Sequence, residues 1–378
     1  MISDAEDGFA LPLMLAVLAL GSILVAASFL MARLDAQSGQ NTLNAIRAHE
    51  AAETGLGEII SWWDPLIYDT MTVGGQVAVP ARTLGQGSYQ GVVTRLSFSL
   101  FRVEAEGNFS SSPTTPAARK ALASLVRLDR AVPSVHAALT VRDSLVWDSP
   151  STINGQDTVP PGWSARCPVL DSSAAGIRLA PLTPPQLGSC STAGCFSGNP
   201  PFLVDSVVAD STLIQLGNTT YGALAAGATR ILTGTLATIS PSLTGSPSAC
   251  DVSDSLNWGE PLLGGSAVPC ENFSPVIHAP GDVILTGGRG QGILLVDGSL
   301  TLGGGTEFTG LVVILGTLRN GSGGGSISGG VLARNVAIDN SLPSSSLLIH
   351  YSACVLPYLT RGTSQVTPLP YRSWTQQF

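Results

Sequence analysis

Lysine is almost missing from this chain: Lys120 is the one lysine among 18 basic residues in a length of 378. Acidic residues outnumber basic ones and the net charge is −8, so there is no basic stripe to neutralise a phosphate backbone. That argues against nucleic acid as a partner. Charged residues make up 12%, about half the usual share, so long salt-bridged surface helices are not expected. Histidine is scarce and scattered, at His49, His136, His278 and His350, which leaves no ligand cluster for zinc and suggests no cofactor. Cysteine is absent before Cys167.

What is abundant is glycine and proline, 43 and 25 residues, beside a hydrophobic fraction of 44% that is ample for a buried core. Frequent turns together with enough apolar material favour β structure in short segments. The six cysteines, Cys167, Cys190, Cys195, Cys250, Cys270 and Cys354, are even in number and are read as disulfides in a segment outside the cytoplasm. Cys190 with Cys195, and Cys250 with Cys270, are closest in sequence, but sequence does not choose among the pairings.

From Phe9 to Met31 run 23 residues without a charge. At about 1.5 Å per residue they cross a hydrocarbon core of about 30 Å, and a buried globular helix would show a polar stripe that is missing here. The stretch is too long for a signal-peptide core, so it is expected to be a transmembrane helix. The helical pattern continues through 32–62, rich in Ala, Leu, Glu, Gln and Arg, until Pro65 ends it. Leu43, Ile46, Leu56, Ile59 and Ile60 are the apolar positions expected to lie on something.

Two short motifs in this helical region carry a family resemblance. A polar leader ending in Gly8, followed by Phe9 and an apolar helix, resembles the processing signal of type IV pilins and pseudopilins. Ala51-Ala52-Glu53-Thr54-Gly55-Leu56 is similar to the Ala-Ala-Glu-x-Gly-Leu signature of the PilX-like type IV pilus assembly proteins. The resemblance covers about 8–60 and more loosely extends to 130. It implies cleavage after Gly8 by the prepilin peptidase, methylation of the new Phe9 amine, and a helix that packs with other pilin or pseudopilin subunits. Leu13 stands where major pilins carry a glutamate, which implies a minor, tip or priming subunit. Asp4, Glu6 and Asp7 before the span and Arg33 and Arg47 after it run against the positive-inside pattern. The cysteines and the resemblance favour export, hence an inner-membrane anchor with a periplasmic C-terminal region, at the cell surface once assembled in a pilus.

Beyond the helix, residues 89–96 and 100–107 alternate apolar and polar between glycines and read as antiparallel strands, with 120–128 a third. Packed on the lower helix, they make a small pilin-like α+β region over 65–132. Residues 150–275 hold five of the six cysteines and several Pro-Pro pairs, and are expected to be a loop-rich insertion.

An internal repeat follows. Gly292-Ile-Leu-Leu-Val, Gly310-Leu-Val-Val-Ile and Gly329-Gly-Val-Leu-Ala recur at spacings of 18 and 19, with 276–285 an earlier copy and 136–147 a detached first one. A period near 18 fits one coil of a parallel, right-handed β-helix-like solenoid whose corners need Gly or Asn. The tail from Cys354 to Phe378 is expected to cap one end. A tethered carbohydrate-active solenoid enzyme would need acids and bases converging from neighbouring coils. Asp297 and its counterparts Leu315 and Arg334 form no such ladder, and the glycine-rich 287–292 reads as a corner rather than a phosphate loop.

The fold expected is therefore mostly β with α+β character: leader 1–8, long helix 9–64, small antiparallel region 65–132, solenoid 133–353 and tail 354–378. The function expected is structural and non-enzymatic, a minor pilin or fimbrium-biogenesis protein, with a membrane-anchored surface adhesin outside any pilus as the alternative.

Overall fold

A computed structural model of the chain describes all residues except 1–9, 112–116, 132–134, 149, 165–166, 168–172, 182–183, 191, 233–235, 246–248, 261–267, 340, 343–344, 370–373 and 378. The chain divides into two compact units, 1–128 with 366–378, and 129–365. The second unit is an insertion into the first.

The first unit starts with helix α1 (Ala10–Ser61), 52 residues without a break. It stops before Pro65, which opens a single turn, Pro65–Tyr68. An antiparallel meander follows: β1 (Gln76–Leu84), β2 (Gly87–Arg95), β3 (Leu100–Phe109) and β4 (Ala118–Asp129). Burial along β3 alternates strictly, placing Phe101, Val103, Ala105 and Phe109 inward and Arg102, Glu104 and Glu106 outward, as period-two patterning requires. Strand β1 has no clear sequence signal because Pro80 interrupts it; it is an edge strand whose register slips between Val79 and Arg82, where a missing N–H does no harm.

The tail differs from its expected role. Helix Val355–Leu359 lies along the coils of the second unit, and the chain then returns to the first sheet. There Gln365–Pro368 and Trp374–Gln377 join β4, with Trp374 opposite Ser124 and Gln377 opposite Ala121. Without them β4 would be an open edge, and satisfying its backbone groups is the physical reason the tail is a strand rather than a cap.

The second unit is a stack of parallel coils. Val276 is level with Ile293, Ile293 with Leu311 and Leu311 with Gly330, so the sequence repeat is the structural register. Two further rows complete each coil: Leu300, Leu318, Val336 and Leu145 are level on one, and Gly325, with its neighbours on either side, Thr306 and Leu347, on the other. Gly292, Gly310 and Gly329 stack at one corner with φ of 119°, 147° and 141°. A Cβ on Gly310 would overlap the Gly292 carbonyl oxygen, and one on Gly329 the Gly310 carbonyl oxygen. The marker glycines are thus set by coil-to-coil backbone approach as well as by φ.

The detached copy does belong to the stack, but not ahead of residue 276. Strand Ala137–Val146 lies beyond the last repeat, with Val331 level with Leu139 and Val336 with Leu145. From there Ala175–Leu179 and Phe202–Val204 add coils outward. Part of 150–275 therefore extends the stack rather than interrupting it. At the opposite end Arg230–Ile231 precedes Val276–Ala279.

Because the spatial order is permuted, the chain must travel back from Val204 to Arg230 along the side of the coils. This strap is pinned as it goes. Asp205 accepts from Arg178 at 2.7 Å, Asp210 lies 3.5 Å from both Arg142 and Arg334, and Tyr221 donates to Asp297 at 2.7 Å. Its short helices Asp210–Ile214 and Tyr221–Ala226, with Val355–Leu359, cover the outside of the main row of strands. Strands buried on both faces need unbroken apolar runs, and 293–296 and 311–314 are buried throughout.

Three disulfides are present. Cys190–Cys195 and Cys250–Cys270 are local, whereas Cys167–Cys354 spans 187 residues. By loop-closure entropy a link of that span is worth roughly 5 kcal/mol.

Replacing Gly310 by Ala puts a methyl group into the Gly292 carbonyl at positive φ, and should cost roughly 2–4 kcal/mol. Gly281→Ala, where a Cβ meets nothing within 4 Å, should be neutral. Thermal unfolding by circular dichroism distinguishes them; equal Tm values would show that the corner tolerates a side chain.

Candidate functional site: the exposed helix

The lower part of α1 is fastened to its sheet by small residues. Asn44, Ala48, Ala51, Ala52, Gly55 and Ile59 are buried, at steps of three and four that make one face. The approach is backbone to backbone: a Cβ on Gly107 of β3 would overlap the Ala48 carbonyl and the Ala52 amide, and one on Gly55 would overlap the Tyr89 ring. Of the motif residues, Ala51, Ala52 and Gly55 lie in this contact, Leu56 is half-buried beside it, and Glu53 faces solvent. The stripe expected from the sequence and the buried face agree only in part. Ile59 is buried, but Leu43 and Ile46 are exposed, because a helix lying this close to a sheet has room only for small side chains.

At the helix end, Glu58 accepts from Tyr89 at 2.5 Å and Arg82 at 3.1 Å, and Trp63 packs edge-on to Phe101 at 5.0 Å. The buried Arg95 guanidinium donates to four carbonyls, of Asp69, Met71, Ser97 and Phe98, tying the two loops there together.

Before Asn44 every described side chain of α1 is exposed. Fourteen large apolar side chains from Leu11 to Leu34 are each 55–74% exposed. No charge interrupts the helix before Arg33. The hydroxyls of Ser22 and Ser28 donate to the carbonyls of Ala19 and Leu24, at 2.8 Å each, so the few polar groups are already satisfied inside the helix. Pro12 sits in the first turn, where its missing N–H is not needed. The helix is long and apolar enough to cross a membrane. Gly8 and Phe9, the expected processing site, lie outside the described residues.

The other sequence-marked residues have structural partners. All six cysteines are in disulfides, so no thiolate is available to a metal. In the coils Asp282 accepts from the Ser299 amide, Asp339 from Ser341, and Asp297 from Tyr221, with His278 Nε2 at 3.2 Å. Arg289 and Glu307 are level on adjacent strands. Asn320 is buried, its side chain bridging the backbone of Asp339 and Ser345. Among the described residues no group of three or more His, Cys, Asp or Glu could hold a metal.

The Val207 amide and the Arg178 guanidinium hold the Asp205 carboxyl below the usual carboxylate range. Ser253 does the same for Asp251, and Ser341 for Asp339. Burial and the Asp297 carboxylate raise Tyr221, and burial alone lowers His350.

No family model matches the chain, and no curated protein matches it. Among solved structures, the crystal structure of the competence-associated pilin ComZ from Thermus thermophilus is similar at 12% identity and a TM-score of 0.26, covering 89% of this chain and 98% of that one. So loose a superposition decides nothing about role.

Gly107→Val should drive helix and sheet apart at Ala48 and Ala52, lowering the stability of the first unit by roughly 2–4 kcal/mol. Denaturant unfolding followed by the fluorescence of Trp62 and Trp63 reads this; an unchanged midpoint would mean the contact is slack. Acid should loosen the strap. Asp205 has a folded pKa below its unfolded value of about 3.9, so its contribution is complete above that pH and is lost as pH falls through the lower folded value. Hydrogen exchange at 205–229 should be flat from pH 7 to about 5, after correction for intrinsic rates, and rise below about 4. In Asp205→Asn the protection should be reduced already at neutral pH, with a smaller acid step.

Proposed function

We propose that the chain is a pilin-class structural subunit of the PilX-like minor type, and that the exposed half of α1 is its assembly element. The observation that carries this is the division of one unbroken helix: 44–61 is held by its own sheet, while the preceding residues extend for about 50 Å, with an apolar surface on every side over roughly the first 35 Å, Ala10 to Ala32. Such a helix has to be covered, first by lipid and then by the helices of neighbouring subunits. The short motif on which this helix meets the sheet supports the same reading, as does Gly8 before Phe9.

In this reading the prepilin peptidase cleaves after Gly8, the new amine of Phe9 is methylated, and the β-rich second unit is displayed on the outside, periplasmic before assembly and at the cell surface afterwards. Three disulfides suit that side of the membrane. Leu13, in place of a glutamate able to pair with a neighbour's amine, suits a minor rather than a bulk subunit. The role proposed is mechanical and adhesive, without catalysis; the engagement of the coil carboxylates by backbone, hydroxyl and strap groups supports that.

Mass spectrometry of the mature N-terminus, in cells with and without the prepilin peptidase, tests the proposal. A methylated Phe9 peptide that disappears with the peptidase is the expected result. An intact leader in both strains would overturn it and leave a single-pass anchor carrying a β-rich surface domain.

A further inference from the structure

Successive coils of a parallel stack are ordinarily joined by the chain itself, so that each coil is delivered to its neighbour by a short loop. One junction in this stack is not joined in chain order at all. The coil ending in Leu347–Tyr351 is followed in space by the coil beginning at Ala137–Val146, more than two hundred residues earlier in the chain. The junction is formed on all sides: Val331 is level with Leu139, Val336 with Leu145, and Ile349 with Ile153. Polar contacts cross it as well. The Leu347 amide donates to Ser151 Oγ at 2.9 Å, Thr158 N to the Tyr351 carbonyl at 3.0 Å, and Ala353 N to Asp157 at 2.9 Å.

Cys167–Cys354 is the disulfide that crosses this junction. Cys354 follows Tyr351 by three residues, and Cys167 lies on the segment leading away from Thr152–Asn154. The link sits in its own small core with Trp163, Val355 and Leu359, all buried. Cys190–Cys195 lies wholly on one side of the junction and Cys250–Cys270 wholly on the other.

We propose that Cys167–Cys354 is a latch specific to this junction: it holds together two half-stacks, 137–204 and 230–351, and without it the stack parts between them while each half keeps its own coils. Opening takes two electrons and two protons from a dithiol reductant, which leaves as its own disulfide, and gives two thiols at Cys167 and Cys354. Reclosing requires a disulfide oxidant of the exported compartment. The parted faces are rows of unpaired parallel strand, the kind of edge that folded proteins otherwise cover. The latch is therefore a redox-dependent control on an aggregation-prone surface, and it stands whether or not the chain enters a filament.

Hydrogen exchange with mass spectrometry on the full chain in detergent tests this, comparing the wild type with the C167S/C354S double variant and with C190S/C195S. The latch predicts at least tenfold faster exchange in C167S/C354S for peptides covering 137–146, 325–337 and 347–351, with 283–320 unchanged. C190S/C195S should leave the junction peptides protected. Unchanged protection in C167S/C354S would overturn the proposal, because packing alone would then hold the junction. Equal loss of protection throughout 137–351 would also overturn it, because the stack would be a single cooperative body. Should the double variant fail to accumulate, the folded wild type is treated with a small dithiol and alkylated, and the same peptides are read with the same two overturning results.

Discussion

The second unit depends on its least local contact: residues 331–337 pairing with 139–146. Every other neighbouring pair of coils between 276 and 351 is joined by a short loop, so its closure costs little chain entropy. At this junction the two strands are brought together only after much of the unit has been made, the arrangement that makes parallel β structure slow to form. The strap is a consequence. A chain that has built coils outward to Val204 has to return past its own work to begin again at Arg230, and the shortest route lies along the side of the stack. That route then covers the outer surface of the main row, and the coils can carry continuous apolar runs that would otherwise be an exposed hydrophobic wall. The ionic contacts of Asp205 and Asp210 and the Tyr221–Asp297 hydrogen bond fasten the strap to successive coils.

The same dependence explains which parts of the fold could be read from the residues. The repeat at 292, 310 and 329 is legible because stacking demands glycine at one corner, and that demand recurs at the period of the coil. The position of 136–147 in the stack is not legible. A coil's two edges look alike in sequence, and its neighbour is chosen by where the connecting chain can reach and by a cysteine 187 residues away. In the helix, the large apolar residues include Leu43 and Ile46, whereas the contact is made by Ala48, Ala51, Ala52 and Gly55. Close approach selects for small volume, and small residues give a weak hydrophobic pattern. Strand β1 was hidden by Pro80, which an edge strand accommodates, and the two strap helices are too short to show a period. The tail held no local sign that β4 lacked a partner.

Two lengths of one helix therefore obey different rules. Below Asn44 the helix is placed by backbone approach to β3, with Gly107 and Gly55 as the points of closest fit, and its position relative to the sheet is narrowly defined. Before Asn44 it has apolar area that no described residue buries. Each Leu, Ile, Val, Met or Phe left in water forgoes roughly 1.5–3 kcal/mol of burial. Over fourteen such side chains this outweighs any other unsatisfied interaction in the described residues. Lipid removes that cost as well as protein does, so hydrophobicity alone cannot move the helix out of a bilayer into a bundle. In the proposed assembly the difference would have to come from packing, for which the helix offers the small residues Gly21, Ser22, Ala26, Ala27 and Ser28 set among the large ones. Such residues would let another helix approach more closely than an acyl chain can use, as Ala48, Ala51 and Ala52 let the sheet approach lower down. Small residues trade side-chain volume for proximity where the helix meets its own sheet, and under the proposed function the same device would serve the surface that it leaves open.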